Sequence, residues 1–280
     1  MISSQLSEET NVAITIAREA ARIILSVYDN DFDIDHKTRN EPVTQADRLA
    51  NAHIVERLSR AFPEDGIVAE ESVPTLQLLA EQVAKSRVWF VDPLDGTKEF
   101  IARNGEFAVM LGLAIKGRPA LGVVVQPTLD ETAVGVVGQG AWLIDSRGES
   151  TPLRVSEQAC VGACTVLVSR SHSSTTLLRI LEALQPAARI PCGSVGVKIT
   201  RMAKRQADAY INPPQRGGSK LWDGCAPEAI LVAAGGCVTD FSGDPVLYAT
   251  TDLELSRGFV ATNGRLHSAV LAAATSALEL

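Results

Sequence analysis

The five cysteines, at 160, 164, 192, 225 and 237, contain no CxxC pair, and an odd number of thiols in a chain of 280 residues does not suggest a disulfide framework. They are expected to be reduced and mostly buried. No stretch reaches the roughly 18 consecutive apolar residues that a membrane span needs. The opening segment, MISSQLSEETNVAITIAREAARIILSVY, lacks the basic start and uninterrupted apolar core of a secretory signal, and Glu8, Glu9, Arg18 and Glu19 fall at helix-compatible positions. It reads as a structural helix of a soluble, cytoplasmic protein. Internal repeats and low-complexity tracts are missing too. A formal charge of −7 argues against nucleic acid or an anionic membrane as partner, so an anionic substrate has to be attracted locally.

Three nucleotide or nucleophile motifs are absent on inspection. The run from Gly112 to Gly117 has P-loop spacing, but Arg118-Pro119 stands where Lys-Ser/Thr is required, inside a strand-turn-strand pattern. Gly135, Gly138 and Gly140 lack the GxGxxG order and a following helix. Ser194 is no nucleophile elbow, because Cys192 occupies the place of the first glycine.

What is present is a patterned chain with 46% hydrophobic and 21% charged residues, enough to bury one large core or two packed halves. Helical spacing covers Val12 to Val27 and Ala46 to Ala61, separated by a polar hinge, DNDFDIDHKTRNEP. Short buried strands are expected at Gly66 to Ala69 and Val88 to Val91. An antiparallel meander then runs through Phe107–Ile115, Ala120–Gln126, Thr132–Val137 and Ala141–Ile144. After Pro152, strands (Val166–Val168, Arg189–Cys192, Ala209–Ile211, Gly258–Ala261) alternate with helices (Thr175–Leu184, Val197–Gln206, Gly224–Ala234, Arg265–Leu278). The expected organisation is an N-terminal α+β half, residues 1–150, and a C-terminal α/β half, residues 151–280, sharing a cleft.

Acidic residues concentrate at strand ends. In VWFVDPLDGT, a buried strand is expected to end at Asp92, where Pro93 blocks it, and Asp95-Gly96 turns the chain so that both carboxylates converge. Leu94 leaves a carbonyl between them, and Thr97 is placed to cap the segment from Lys98. Read alone, an acidic turn with a helix cap is the bland alternative. Glu70-Glu71 closes a second apolar run. Asp223 precedes an apolar helix, where a plain N-cap would do, and Asp47 opens the second helix, where a capping role is equally ordinary. Carboxylates and a carbonyl without histidine or cysteine at ligand spacing favour Mg²⁺ or Mn²⁺ over zinc. Two or three such ions would neutralise the acids and give an acidic protein a positive centre for phosphate.

PVTQAD, GIVAEES, WFVDPLDGTKEF and LWDGCAPEAI…AAGG, in this order and spacing, make roughly residues 10 to 265 resemble the lithium-sensitive, Mg²⁺-dependent phosphatases related to inositol monophosphatase. The resemblance implies a layered αβαβα fold of mixed α+β and α/β character. It implies that Glu70, Asp92, Asp95, Asp223 and the Leu94 carbonyl bind metal, that Asp47 and Thr97 orient and deprotonate the attacking water with Glu70 also at the catalytic centre, and that Gly96 and Thr97 amides help hold the phosphate. In-line attack by a metal-activated hydroxide, without a phosphoenzyme, follows from the same resemblance. Lys98-Glu99-Phe100, the SRSH segment with Ser169 and His172, and the glycine-serine stretch with Ser194 and Lys198 are similar to the 3′(2′),5′-bisphosphate nucleotidase branch. The implied substrate is then a phosphorylated nucleotide, adenosine 3′,5′-bisphosphate, cleaved to AMP. The bland alternatives are a surface-loop histidine for His172 and a solvated helix face for Lys198. An inositol or sugar monophosphatase and a non-catalytic binding protein on the same fold are the competing functions. The segment INPPQRGGSK does not align securely, so Arg216 and Lys220 receive no role.

Overall fold

The computed structural model describes residues 6–30, 34–36, 42–171 and 174–278. Helix α1 (Ser7–Tyr28) is followed by a short antiparallel pair, β1 (Ile34–His36) and β2 (Pro42–Thr44), then α2 (Gln45–Ala61), β3 (Gly66–Ala69), a 3-10 turn at Glu70–Ser72 and α3 (Leu76–Val83). The meander comprises β4 (Arg87–Asp95), α4 (Thr97–Ile101), β5 (Ala108–Ile115), β6 (Arg118–Gln126), β7 (Glu131–Val136), β8 (Gly140–Ile144) and β9 (Ser150–Leu153). The rest of the chain forms β10 (Thr165–Ser169), α5 (Thr175–Leu184), β11 (Ala188–Cys192), α6 (Val195–Ala203), β12 (Ala209–Asn212), α7 (Leu221–Ala233), β13 (Cys237–Thr239), β14 (Phe259–Thr262) and α8 (His267–Ser276).

A seven-stranded sheet runs in sequence order from β3 to β9, parallel only between β3 and β4, and a five-stranded sheet has the order β11-β10-β12-β14-β13. Strand alternation divides the side chains between layers. Trp89, Val91, Leu111 and Val123 pack with Ile16, Ile24 and Ile54 of α1 and α2 on one face of the large sheet. Phe90, Met110 and Val124 face the other way, into a core shared with α6, α7 and the Leu167, Tyr210 and Phe259 side of the small sheet. Val166, Ile211 and Val260 cover the far side with α5 and α8. The layers therefore run αβαβα, as expected from the resemblance. The large sheet ends at Leu153, while α6 and α7 pack between the two sheets.

Helix α7 lies close to the large sheet because the sheet has a groove for it. Gly112, Gly122 and Gly135 are paired directly across β5, β6 and β7. A Cβ at these positions would sit 2.5 Å from Ala226 N, 2.2 Å from Ala226 O and 2.4 Å from Ile230 Cα. The helix is buried along almost its whole length, matching its apolar sequence.

Some local expectations change. Strand β4 does not stop at Asp92; it continues through Pro93 to Asp95, with a register shift between Asp92 and Asp95. A bulge places the proline where no ladder N–H is needed. Thr97 is the first residue of α4 and not its cap, since Gly96 at φ 95 occupies that position. Helix α6 starts at Val195, two residues before the expected start, because Gly196 fits inside it where a Cβ would meet Met110 Sδ at 2.8 Å. Helix α7 starts at Leu221, so Asp223 belongs to its first turn. Helix α3 and strand β13 were not expected, and part of the polar hinge forms β1 and β2.

Gly122→Val should lower stability by about 3 kcal/mol or more by forcing α7 off the sheet. Gly162→Ala, where a Cβ meets nothing within 4 Å, should stay within about 0.5 kcal/mol of the parent. Urea denaturation of both variants checks this; equal midpoints would mean that α7 is not seated in the glycine groove.

Candidate active site

Three elements bring four acids together. Strand β4 carries Asp92 and Asp95, 2% and 9% exposed, beside its bulge. Glu70 opens the 3-10 turn after β3, which is parallel to β4, so the two strand ends lie side by side. Asp223 comes from the first turn of α7. Each β4 and α7 acid anchors one carboxylate oxygen. Asp92 Oδ1 accepts the Leu94 N–H at 2.9 Å, Asp223 Oδ2 accepts the Lys220 N–H at 2.7 Å, and Asp95 Oδ2 accepts the Ser194 hydroxyl at 2.5 Å and the Gly196 N–H at 2.8 Å.

The electrostatics of the cluster are strained. Burial, then the charges of Glu70, Asp95 and Asp223, push the Asp92 carboxyl well above the usual carboxylate range. Burial followed by Asp95 and Glu70 pushes Asp223 up to about 8, with Asp92 hydrogen-bonded to it. Burial also raises Asp95, although Ser194, Gly196 and Lys198 oppose the shift. Among the described residues no three His, Cys, Asp or Glu side chains already close round one point as a finished ion cage. The donor chemistry nevertheless suits a hard divalent cation: buried, mutually repelling carboxylates and a nearby backbone carbonyl, with no sulfur or imidazole ligand in the set.

Asp47 stands apart by its partners. It lies in the first turn of α2, where Oδ2 accepts the Thr44 N–H at 2.7 Å and the Thr44 hydroxyl at 2.6 Å. Its other oxygen, Oδ1, accepts the Thr97 hydroxyl at 3.1 Å, and that hydroxyl also lies 3.3 Å from the Leu94 carbonyl. A carboxylate oriented by a capping box thus holds a hydroxyl at the mouth of α4. Gly96 supplies the positive φ the turn needs, and a Cβ there would lie 3.0 Å from the Glu106 carbonyl oxygen.

A cavity of about 310 Å³ joins these groups, lined by Glu70, Asp95, Gly96, Thr97 and Asp223 together with Ser169, Ser194 and Lys198. Lys198 is not on a solvated face. It is 3% exposed, its Nζ donates to the Ser194 carbonyl at 3.2 Å, and it sits 4.9 Å from the centre of the Tyr210 ring. Burial pushes its ammonium pKa down, against the pull of Asp95. Ser194 caps α6 by accepting the Val197 N–H at 3.1 Å, besides holding Asp95. His172 lies outside the described residues.

Some cleft residues escaped sequence reasoning. Tyr210 forms the floor under Lys198; strand alternation could have found it, since Ala209 and Ile211 face α5 and α8 and Tyr210 must face the other way. Lys220 also lines the cavity and pairs with Glu254 at 2.8 Å. Glu99, only 4% exposed, accepts hydrogen bonds from Ser171 and Asn104, linking α4 to the end of β10. Glu99 is visible in the sequence only as part of the Lys98-Glu99-Phe100 motif and Lys220 only as a residue without a role, because their partners lie far along the chain.

The model of the Inositol monophosphatase family matches residues 5–279. The 3′(2′),5′-bisphosphate nucleotidase CysQ of Escherichia coli strain K12 is 35% identical over 246 residues, covering 87% of this chain and 95% of the relative. Among solved structures, CysQ from Bacteroides thetaiotaomicron superposes with a TM-score of 0.77 at 29% identity, covering 93% of this chain and 98% of the other. The Thermotoga maritima IMPase superposes with a TM-score of 0.81 at 26% identity, covering 97% and 98%.

The raised Asp223 fixes the sign of a pH effect. Its ordinary value is 3.8 and its folded value about 8, so its contribution favours folding at low pH and is lost as pH climbs between those values. The cation-free protein should lose thermal stability from about pH 5.5 to about pH 8.5, and saturating Mg²⁺ should raise Tm more at the higher pH. Scanning calorimetry at both pH values checks the pairing; a Mg²⁺ shift that is absent or independent of pH would contradict it.

Proposed function

The chain belongs to the inositol monophosphatase family, and from that premise we propose that it is a divalent-cation-dependent phosphomonoesterase that removes the 3′-phosphate of adenosine 3′,5′-bisphosphate, giving AMP and phosphate. The observation that carries this reading is the charge layout of one cavity: Lys98, Lys198 and Lys220 line it together with Glu70, Asp95 and Asp223. An acid cluster that takes cations serves the phosphate to be cleaved. A desolvated ammonium beside it serves a phosphate that is kept, because charge attraction strengthens as water is excluded. The names of the relatives point the same way.

Glu70, Asp92, Asp95, Asp223 and the Leu94 carbonyl would hold the cations, Mg²⁺ in the first instance and two or three in number. When bound they supply positive charge that attracts the phosphate and acidifies water. The chain's own groups do the rest. The Thr97 hydroxyl donates to Asp47 and keeps its lone pairs for the attacking water, so a proton leaving that water passes through Thr97 to Asp47. Thr44 holds Asp47 with two donors, which keeps the acceptor oriented. The amides of Gly96 and Thr97, at the mouth of α4, are placed to steady phosphate oxygens. Ser194 fixes Asp95 from the other half of the chain, so the metal site and the substrate wall share one hydroxyl. Lys198, with Ser169 and His172, is assigned to the retained phosphate and the ribose.

Under one Mg²⁺ concentration, adenosine 3′,5′-bisphosphate, inositol 1-phosphate and fructose 1,6-bisphosphate should be hydrolysed with the first strongly preferred in kcat/KM. Preference for inositol 1-phosphate would move the chain to the inositol phosphatase reading and leave the metal chemistry in place. Thr97→Val and Asp47→Asn should each lower kcat by about 100-fold with little change in KM, and the double variant should be no slower than the worse single. Additive losses, or near-normal rates, would show that the two residues do not act as one proton path.

A further inference from the structure

Glu106 does not line the cleft, yet several donors converge on its side chain, which is 12% exposed. Its Oε2 accepts the Gly193 N–H at 2.7 Å and two Arg170 guanidinium N–H groups at 3.1 and 2.8 Å, and its Oε1 accepts Arg201 Nη2 at 3.1 Å. Although burial pushes its carboxyl up, the Gly193 N–H, Arg170 and Arg201 hold it below the usual carboxylate range. These partners bracket α6. Gly193 precedes the cap Ser194, and Arg201 lies in the last turn of the helix.

Helix α6 is the element that links the acids to the substrate wall. Ser194 and Gly196 at its start hold Asp95, and Lys198 one turn further lines the cavity. Ser194, Lys198 and Arg201 are spaced four and three apart, so they share one face, and gripping Arg201 fixes where that face points. The grip at the other end is tight as well: a Cβ on Gly193 would lie 2.4 Å from Glu99 Cγ and 2.8 Å from the Glu106 carbonyl oxygen. Ser194 itself sits at φ 50, a conformation L residues seldom adopt and keep only where the surroundings impose it.

We propose that Glu106 is a positioning residue for substrate selection: by holding Gly193 and Arg201 at the two ends of α6, its carboxylate sets the rotation of the helix that brings Lys198 to the phosphate the substrate retains. The inference rests on the bisphosphate reading of the cleft. It separates the two jobs of α6, because the Gly193 contact secures the end next to Asp95 and the Arg201 contact sets the orientation beyond it.

Glu106→Gln discriminates between these contacts. The amide oxygen still accepts the Gly193 N–H, while the amide NH₂ can only repel Arg201. Arg201→Met removes the same contact from the other side with a good helix former. Each variant should raise KM for adenosine 3′,5′-bisphosphate about tenfold with kcat within about threefold, and should leave hydrolysis of 3′-AMP, which lacks the second phosphate, nearly unchanged. The double variant should match either single, since both remove one interaction. If Glu106→Gln fails to fold, Arg201→Met carries the comparison between the two substrates. An unmodified enzyme that does not favour the bisphosphate over 3′-AMP would overturn the reading of the cleft and the inference with it. An unmodified enzyme that does favour it, with variants that keep KM, lose equally on both substrates or lose additively, would overturn the role of Glu106 alone.

Discussion

Helix α7 can lie against the large sheet only because Gly112, Gly122 and Gly135 present no side chain to it, and the place of Asp223 among the other acids depends on that contact. The helix packs in the core between the sheets with α6 beside it. Its first turn delivers Asp223 to the end of β4, where Asp92 and Asp95 flank a bulge. A side chain on any of the three glycines would displace the helix backbone and take Asp223 out of reach of the other acids. Packing density here sets the geometry of a charged site, which is why the glycines stand in direct register and not at scattered positions.

The second constraint is charge. Folding gathers Glu70, Asp92, Asp95 and Asp223 together, and burial with mutual repulsion pushes the carboxyls of Asp92 and Asp223 up. The chain softens the repulsion by anchoring one oxygen of Asp92, Asp95 and Asp223 on backbone or hydroxyl donors, and by placing the Lys198 ammonium near Asp95. Asp47 is held by hydroxyl and backbone donors instead. Thr44 and Thr97 both donate to it, which suits the proposed role of proton acceptor rather than cation ligand. An overall charge of −7 is compatible with an anionic substrate on the proposed reading, because lysines line the cavity and cations in the acid cluster would reverse the local field.

Much of the fold was legible because its strands are bounded by turn residues and its outer helices are amphipathic. The strand at Gly66–Ala69 and the helix at Thr175–Leu184 lie at the expected boundaries. The continuation of β4 through Pro93 was not legible, since only pairing with β5 makes a bulge that tolerates a proline. The early start of α6 depends on a tertiary fit of Gly196 against Met110, which no local pattern reveals. At the site, the acids were visible as types at strand ends, and the family motifs tied them together. Their partners were not visible: Ser194 was read as a substrate contact, while its hydroxyl holds Asp95 from a position 99 residues away along the chain. Glu106 shows the same limit. Nothing in its own neighbourhood of sequence announces that it joins β10 and α6.

On the proposed reading, water activated at Thr97 and Asp47 displaces the nucleotide from the 3′-phosphate while a second phosphate stays bound, and the acid cluster would hold the cations that supply positive charge there. Hydrolysis of adenosine 3′,5′-bisphosphate in ¹⁸O-labelled water, followed by phosphorus NMR with and without Mg²⁺, tests it most directly. Mg²⁺-dependent release of inorganic phosphate bearing the label is expected, with unlabelled 5′-AMP as the other product. Label in the nucleotide, release of the 5′-phosphate, or the same rate after removal of divalent cations would contradict it.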